Sequence, residues 1–403
     1  MKKTAIILSL LCIALGGWAG VWTGTWATAV EFAGEEDMPK TVLANCAVRQ
    51  VVHVSIGGRA LRLKLSNEFS NEPVEIKSVY IADALDSSLI DTGTARYLTF
   101  AGRRSTTILP GSVVTSDELG YDLHPLGRLT VTINYGSRVP QRATCHRGSR
   151  TTSYIMTRES RPRKPFATTE RVEHWYNIAA IEVLSERRSD VVGSDELGVG
   201  SVLPCIAILG NSITDGRGTT TDLQNRWTDR LAEYLEGKVG VLNLGIGGNC
   251  VLEGGLGQPG MQRFERDILA QQGVTHLIIF EGINDIGTSK ASEETARRLI
   301  EAYEQLIRTA HERGLKVILA TITPLGNTFY WNFFHEAARQ TVNEWIRTRA
   351  EVDGLIDFDE LVRDPEHPTQ MRADWQSDWL HPNAEGYRNM GEYAAKCLAC
   401  VLR

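Results

Sequence analysis

The segment Cys205–Gly216, with the sequence CIAILGNSITDG, decides the fold class. It starts with a short apolar run, as expected of a strand that is buried on both faces. Ser212 follows this run directly and lies between Gly210 and Gly216. Ligands of open α/β sheets bind at the carboxyl ends of the strands. The hydroxyl of Ser212 is therefore a candidate for chemistry.

Four further apolar runs repeat this pattern along the chain, with helical segments between them. The clearest helical segment, Glu293–Glu312, carries apolar residues at three- and four-residue spacing. Alternating strands and helices predict a parallel sheet covered on both sides, which is a three-layer α/β/α architecture. The four runs are Val239–Leu244, His276–Phe280, Val317–Thr321 and Leu355–Phe358.

The sequence before this region carries short strand-like runs without a helical period. Arg49–Ile56 and Ala60–Ser66 alternate apolar and polar residues around Gly57-Gly58, which predicts a hairpin with a two-glycine turn. Such strands predict an all-β sandwich or jelly-roll-like domain. Further strands are predicted at Val74–Ala82, Thr94–Phe100, Arg128–Tyr135 and Trp175–Leu184.

Length and composition agree with two globular domains. The chain has 403 residues, of which 42% are hydrophobic and 23% charged, and this argues against fibrous or largely disordered proteins. The polar stretch 186–203 is the predicted linker. We therefore expect an accessory β-domain at 20–185 and an α/β domain at 204–403.

The N-terminus has the features of a secretory signal peptide. Two lysines precede the apolar stretch Ala5–Leu15, and small residues follow near Ala19. This stretch is shorter than the ~20 residues that a transmembrane helix needs. We expect a signal peptide at 1–19 and a secreted or periplasmic protein without stable membrane insertion, with a retained anchor as the alternative. Cleavage would change the net charge from −6 to −6 − 2 = −8, which disfavours nucleic acid as a partner.

The cysteines and histidines give no metal-binding pattern. In an oxidising compartment Cys46 and Cys145 are candidates for a disulfide. Cys397 and Cys400 lie in a predicted C-terminal helix, where helix packing or a surface disulfide is favoured over zinc or redox chemistry. The eight histidines other than His381 are scattered, so we expect core or surface roles for them. No metal or organic cofactor is expected.

Polar residues follow the other strands at the same sheet edge. The glycine-rich segment Gly245–Asn249 can bring backbone N–H groups close to a ligand. Asn284 follows the third strand, and Asp378 and His381 precede the last helix. Acyl transfer needs these residue types, because a serine needs a histidine base, the histidine needs a carboxylate, and the oxyanion needs donors.

We therefore assign candidate roles to these residues. Ser212 is the expected nucleophile, His381 its base, and Asp378 the carboxylate that orients the base. The expected oxyanion hole consists of the N–H groups of Ser212 and Gly248 and the Asn284 amide, with Gly247 as the alternative to Gly248. Aromatic residues near the strand ends can contact a sugar or an acyl chain, or simply pack. The candidate substrate-binding residues are Asn249, Tyr330, Trp331 and Trp379.

Two other features suggest alternatives. Gly255–Gly260 fits the G-x-G-x-x-G pattern of dinucleotide sites, with Glu281 roughly 20 residues further on. The motif does not turn directly off a strand, and Pro259 interrupts it, so we do not expect a nicotinamide or flavin site. The arginine-rich stretch Arg138–Arg171 can bind an acidic polysaccharide, but a solvated loop is favoured.

The four blocks resemble those of the GDSL serine esterases, also called SGNH hydrolases. The family pattern is matched by Gly210–Gly216, Asn243–Gly248, Gly282–Asp285 and Asp378–His381, in the family's order. The resemblance covers about Val202 to Arg403 and implies a flavodoxin-like parallel sheet. The part from Gly24 onward resembles the β-domain that precedes this domain in some secreted bacterial members. One departure is Asn211, which stands where the family has aspartate.

The resemblance implies a carboxylic ester hydrolase that acts through an acyl-enzyme. Secretion and the accessory β-domain favour a small-molecule or polysaccharide ester, most of all O-acetyl groups on a carbohydrate. The first alternative is a lipase or lysophospholipase acting on lipid esters, and an acyltransferase would use the same site. The alternative from another class is a non-catalytic glycan-binding protein.

Overall fold

A computed structural model of the chain describes residues 20–185 and 203–402. The expected signal peptide and all of the predicted linker except Leu203 lie outside the described residues. Within the described ranges, no helix combines the length and the apolar character needed to cross a bilayer.

Residues 20–185 fold into fifteen strands. They are β1 (Val21–Ala27), β2 (Glu31–Phe32), β3 (Ala47–His53), β4 (Gly58–Asn67), β5 (Val74–Asp83), β6 (Arg96–Tyr97), β7 (Thr106–Ile108), β8 (Ser112–Thr115), β9 (Leu119–Leu123), β10 (Arg128–Tyr135), β11 (Thr144–His146), β12 (Ser153–Met156), β13 (Glu170–Val172), β14 (Trp175–Tyr176) and β15 (Ile178–Ser185).

These strands form three antiparallel sheets around one core. The first has the order β1-β15-β4-β8, with β9 also on β4, and the second has the order β13-β12-β3-β10-β5-β6, with β7 on β5. The third is the small sheet β14-β11-β2. Apolar side chains of the two large sheets belong to a single buried cluster, as in a sandwich whose inner faces pack together.

The predicted hairpin around Gly57-Gly58 is wrong. Strand β3 pairs with β10 and β12, whereas β4 pairs with β15, β8 and β9 in the other sheet. The apolar residues of both strands point into the common core. The alternation of apolar and polar residues is the same for two strands that pair within one sheet and for two strands that face each other across a core. The chain crosses between the sheets at Gly57, where an added Cβ would lie 2.4 Å from the carbonyl oxygen of Leu123.

The second half of the described chain is an α/β domain. Its strands are β16 (Cys205–Gly210), β17 (Gly240–Gly245), β18 (His276–Phe280), β19 (Lys316–Ala320) and β20 (Gly354–Ile356). Its helices are α1 (Ser212–Asp215), α2 (Trp227–Tyr234), α3 (Gly260–Phe264) with a following π-helical turn (Glu265–Leu269), α4 (Ile283–Gly287), α5 (Ser292–Glu312), α6 (Phe333–Thr348), α7 (Phe358–Val362) and α8 (Ala384–Leu398).

All five strands are parallel, in the order β17-β16-β18-β19-β20. Numbered along the chain this order is 2-1-3-4-5, which is that of flavodoxin-like sheets. Every residue of β16 and β18 is buried, as expected of strands covered on both faces. The helices pack in pairs, α2 against α8 and α5 against α6.

The two halves of the chain contact each other along β17, the edge strand of the parallel sheet. The Val241 N–H donates to Ser55 Oγ at 3.0 Å, and the Gly24 N–H donates to the Gln272 carbonyl at 2.9 Å. A Cβ at Gly24 would lie 2.8 Å from the Leu242 side chain, so β1 lies directly against β17. The β-domain therefore covers an edge that would otherwise expose unpaired backbone groups.

All six cysteines in the described ranges are free. Cys46 and Cys145 are buried and are not joined, contrary to the candidate pairing. Cys397 lies in α8 and packs against the core of the α/β domain, in agreement with a helix-packing role, and Cys400 is exposed.

Candidate active site

Ser212 lies at the first position of α1, directly after β16. The Asn211 side chain caps the helix by accepting a hydrogen bond from the Ile213 N–H at 3.0 Å. A Cβ at Gly210 would lie 2.2 Å from Thr214 Oγ1, so this turn requires a glycine. The strand end thus places the Ser212 hydroxyl at the carboxyl edge of the sheet, as predicted from the sequence.

Three predicted site residues form one chain of hydrogen bonds. Ser212 Oγ lies 2.8 Å from His381 Nε2, and His381 Nδ1 lies 2.9 Å from Asp378 Oδ2. Asp378 Oδ1 also accepts the backbone N–H groups of His381 at 2.8 Å and Leu380 at 3.1 Å. Because Nδ1 faces a carboxylate, it carries the proton, and Nε2 can accept the proton of Ser212.

The surroundings of His381 favour its neutral form. Burial lowers the pKa of His381 below its ordinary value of 6.5, and the charges of Arg217 and Arg150 lower it further, although Asp378 opposes this shift. Burial would raise the pKa of Asp378, but its hydrogen bonds from His381 lower that pKa below 3.8. At neutral pH the pair therefore consists of a neutral imidazole and an ionised carboxylate.

The Asn284 side chain is fixed in orientation by two partners. Its Oδ1 accepts from the Tyr330 hydroxyl at 2.9 Å, and its Nδ2 donates to the Asn249 carbonyl at 2.8 Å. An amide nitrogen has two hydrogens, so one N–H of Asn284 is left for a ligand. This is what the predicted oxyanion donor requires.

The other two predicted donors are backbone groups. No acceptor in the described part of the chain takes a hydrogen bond from the N–H of Ser212 or Gly248. Gly248 is half-buried and has φ +71°, a conformation that favours glycine. Both N–H groups therefore remain available for an oxyanion.

Asn249 does not fit its predicted role in substrate binding. Its side chain is buried, and Nδ2 donates to the carbonyl groups of Leu256 and Gln258 at 2.8 and 2.9 Å. Its Oδ1 accepts from Arg263 Nε at 3.0 Å. All of its polar atoms thus serve to hold the loop after β17 in place.

The predicted aromatic residues occupy different environments. Tyr330 packs on α4, where a Cβ at Gly287 would clash with its ring. Its hydroxyl binds Asn284 and so orients that residue. Trp331 and Trp379 are half-buried. Three further aromatic side chains close to Tyr330 in the sequence are strongly exposed. They are Phe329, Phe333 and Phe334, which are 82%, 84% and 78% exposed.

A buried carboxyl group lies under the nucleophile turn. Asn211 Nδ2 donates to Glu281 Oε2 at 3.2 Å, and Arg263 Nη2 lies 3.5 Å from Glu281 Oε1. Burial raises the pKa of Glu281 to about 8, although Arg263 opposes this. The departure at Asn211 therefore has a local explanation, since an aspartate there would face a second carboxyl group.

Two of the histidines for which core or surface roles are expected link the two halves of the chain. His146 Nε2 lies 2.8 Å from Asp215 Oδ1, and His53 Nδ1 lies 3.0 Å from Asp229 Oδ1. Arg150, in the stretch expected to be a solvated loop, donates to Asp215 Oδ2 at 3.1 Å. Local sequence contains no signal for these contacts, because the partners are 65 to 176 residues apart.

The described residues contain no group of three or more His, Cys, Asp or Glu side chains that could hold a metal ion. The G-x-G-x-x-G segment does not turn off a strand, because β17 ends at Gly245 and α3 begins only at Gly260.

The comparisons with known proteins agree with this geometry. Residues 208–388 match the family model described as GDSL-like Lipase/Acylhydrolase. Over these residues the α/β domain is similar to GDSL-like lipases and acylhydrolases. This confirms the resemblance found in the sequence for this part of the chain, and the matched span contains Ser212, Gly248, Asn284, Asp378 and His381.

Solved structures similar to the chain cover about half of it. A lipolytic protein of the G-D-S-L family from Desulfitobacterium hafniense is 22% identical, and the match covers 49% of this chain and 99% of that one, with a TM-score of 0.39. A GDSL-like lipase from Bacteroides thetaiotaomicron gives 18% identity, 49% and 89% coverage and a TM-score of 0.38. A carbohydrate acetylesterase from Sinorhizobium meliloti is 15% identical, and the match covers 49% of this chain and 99% of that one, with a TM-score of 0.38. No curated protein matches the chain.

The lowered pKa of His381 predicts the acid limb of any reaction in which this histidine acts as the base. A base acts only when it is neutral, so kcat/KM should rise with pH through the pKa of His381 and be level at pH 7. We expect the midpoint of this limb below pH 6.5, measured as ester hydrolysis between pH 4.5 and 8. A midpoint above pH 7 would contradict this.

The contact between Asn211 and Glu281 predicts the effect of restoring the family aspartate. In Asn211→Asp the new carboxylate raises the pKa of Glu281 beyond about 8, and each unit of that rise costs about 1.4 kcal/mol of folding stability once the pH exceeds it. The loss of Tm relative to the wild type should thus be larger at pH 9 than at pH 6.5. In the control Asn211→Asp/Glu281→Gln this pH dependence should disappear, and an equal loss at both pH values in the single variant would refute the account.

Proposed function

We propose that the protein is a serine esterase that hydrolyses carboxylic esters through an acyl-enzyme on Ser212. The observation that carries this proposal is the continuous chain of hydrogen bonds from Ser212 Oγ through His381 to Asp378, with distances of 2.8 and 2.9 Å. Three N–H donors that are free to bind an oxyanion lie at the same strand ends, namely those of Ser212, Gly248 and the Asn284 side chain. Nucleophile, base, orienting carboxylate and oxyanion donors together make up an acyl-transfer site.

In the first step Ser212 Oγ attacks the ester carbonyl carbon, and its proton passes to His381 Nε2. The negative charge that develops on the carbonyl oxygen accepts hydrogen bonds from the N–H groups of Ser212 and Gly248 and the Asn284 amide. Asp378 stabilises the imidazolium that forms. When the tetrahedral intermediate collapses, the C–O bond to the alcohol breaks, and His381 returns the proton to the leaving alcohol.

In the second step water takes the place of the alcohol. Neutral His381 accepts a proton from this water, whose oxygen attacks the acyl carbon of the ester on Ser212. Collapse of the second intermediate releases the acid and returns the proton to Ser212 Oγ. The same donors serve both oxyanions, so one arrangement of α1, the loop after β17 and α4 supports both halves of the reaction.

For the natural substrate we propose O-acetyl groups on a carbohydrate, acted on outside the cytoplasm after removal of the N-terminal segment. The signal-peptide pattern and the extra β-domain at 20–185 support this choice. The half-buried Trp331 and Trp379 offer aromatic surface near the strand ends. A small acyl group also suits a nucleophile that is only 5% exposed.

One observation favours a second candidate, hydrolysis of lipid esters. The exposed Phe329 packs on the ring of Tyr330, whose hydroxyl binds the proposed oxyanion donor Asn284, and Phe333 and Phe334 are exposed close by in the sequence. Contiguous exposed apolar surface on a protein marks contact with apolar partners. A long acyl chain or an alcohol with a lipid tail would cover these rings.

Removal of the nucleophile tests the proposed reaction. In Ser212→Ala, hydrolysis of p-nitrophenyl acetate should fall by at least about 10³-fold, because base and oxyanion donors alone give only residual catalysis. Ser66→Ala is the control, since it also removes a buried hydroxyl but lies in β4. Equal rates for the wild type and Ser212→Ala would sink the proposal.

The exposed phenylalanines provide a test between the two substrate classes. For the wild type we expect p-nitrophenyl acetate to be hydrolysed with a higher kcat/KM than the octanoate, and the triple variant Phe329→Ser/Phe333→Ser/Phe334→Ser to leave acetate turnover within about twofold. Burial of one phenylalanine side chain is worth ~1.5–3 kcal/mol. A lipid substrate would therefore give an octanoate preference that falls at least about tenfold in the triple variant. The control Leu85→Ser/Leu89→Ser removes exposed apolar side chains from the β-domain.

A further inference from the structure

The end of the nucleophile helix is held by the β-domain. Asp215, three residues after Ser212 in α1, is only 2% exposed. Its two carboxylate oxygens accept from His146 Nε2 at 2.8 Å and from Arg150 Nη2 at 3.1 Å. His146 ends strand β11, and Arg150 lies in the loop that follows.

The hydrogen-bond partners of His146 indicate that its ring is an imidazolium. Its Nδ1 lies 2.8 Å from the Ala29 carbonyl oxygen, and its Nε2 faces the Asp215 carboxylate. Both neighbours only accept hydrogen bonds, so both ring nitrogens must carry hydrogens. Burial lowers the pKa of His146, but Asp215 and the nearby Glu31 raise it by more than burial lowers it, so the net shift is upward. Asp215 thus meets two cations of the β-domain.

The segment around these residues is pressed closely onto Asp215. A Cβ at Gly148 would lie 2.0 Å from Asp215 Oδ2, so only glycine fits there. Arg226 bridges the same place, since its Nε donates to the Asp215 carbonyl at 3.1 Å and its Nη2 donates to the Ser149 carbonyl. Helix, β-domain loop and Arg226 therefore form one connected polar cluster.

We propose that His146 and Arg150 are positioning residues for the nucleophile, acting through Asp215 to fix the single helical turn that carries Ser212. This inference rests on the proposed function, in which Ser212 attacks the ester. A helix of four residues is far below the length at which a helix is stable alone. Its first residue must nevertheless hold a hydroxyl within hydrogen-bond distance of His381, so external anchors at its other end are needed.

Arg150 also affects the base itself. Among the groups that shift the pKa of His381 most, burial and the charges of Arg217 and Arg150 lower it, and Asp378 raises it. Burial is the largest cause of the lowered pKa, and through Arg150 the β-domain adds a positive charge that also favours neutral His381. It follows that residues 20–185 are a working part of the active site and not a separable binding module.

Substitution at Arg150 tests this role against a matched control. Arg150 is 27% exposed and pairs with a carboxylate that is 1% exposed, while Arg62 is 26% exposed and pairs with Glu182, which is 2% exposed. We expect Arg150→Gln to lower kcat about tenfold with KM changed less than about twofold, and to move the acid limb to higher pH, because loss of a nearby cation raises the pKa of His381. Arg62→Gln should leave kcat and the position of the acid limb unchanged.

His146→Gln is the second variant and separates positioning from charge. Gln can donate to Asp215 but not to both partners, and His146 is not among the groups that shift the pKa of His381 most. We expect a lower kcat with an unmoved acid limb. Circular dichroism and Tm verify that each variant is folded.

The outcomes keep the inference apart from the proposed function. The proposed function would be overturned if the wild type hydrolysed no ester, or if Ser212→Ala hydrolysed it equally fast. A kcat of Arg150→Gln and His146→Gln equal to that of Arg62→Gln would overturn the positioning role alone. NMR titration of the His381 ring needs no turnover, and an unchanged pKa in Arg150→Gln would overturn the electrostatic part.

Discussion

The rest of the site depends on the ion pairs that the buried carboxylate of Asp215 forms with His146 and Arg150. A carboxylate removed from water is costly unless cations and hydrogen bonds compensate it, and here the compensation comes from His146 and Arg150 of the β-domain. This requirement ties the sandwich to the α/β domain at the point where Ser212 is presented. The second imidazolium-type contact, His53 with Asp229 on α2, repeats the arrangement further from the nucleophile. Two domains that look independent in sequence are thus joined by paired charges that neither domain could bury alone.

The parallel sheet explains why residues far apart in sequence meet at one edge. Strands β16, β17 and β18 end at neighbouring positions, since Gly210 is in register with Gly245 and with Phe280. The turns after these strands therefore bring Ser212, Gly248 and Asn284 together without any long side chain. His381 approaches from the loop before α8, where Asp378 binds both its ring and its backbone N–H. A short aspartate–histidine spacing lets one loop set both the orientation and the tautomer of the base.

The sequence was sufficient for the parts of the molecule whose signals are local. The strand His276–Phe280 and the helix that begins at Ser292 are found where periodicity predicts them, and the strand-end residues follow from the topology of parallel sheets. The β-domain was harder, because alternation tells which face of β3 or β4 is buried but not which strand lies beside it. The domain contacts of His146 and Arg150 had no local signal at all. Asn249 was misassigned because its position beside Gly248 resembles that of a ligand contact, whereas its side chain is needed to hold the loop.

The count of buried charges around the nucleophile turn also accounts for the departure at Asn211. Glu281 already places a carboxyl group 3.2 Å from this side chain, with Arg263 as the nearest cation. Arg263 is fully occupied, because it also donates to Asn249, to Asp267 and to the carbonyl groups of Leu244 and Gly210. A second carboxylate would have no cation left to pair with. An amide keeps the helix cap through its oxygen and donates to Glu281 through its nitrogen, so it meets both local demands without adding charge. The identity of this residue is therefore explained by the electrostatics beneath the turn that carries the nucleophile.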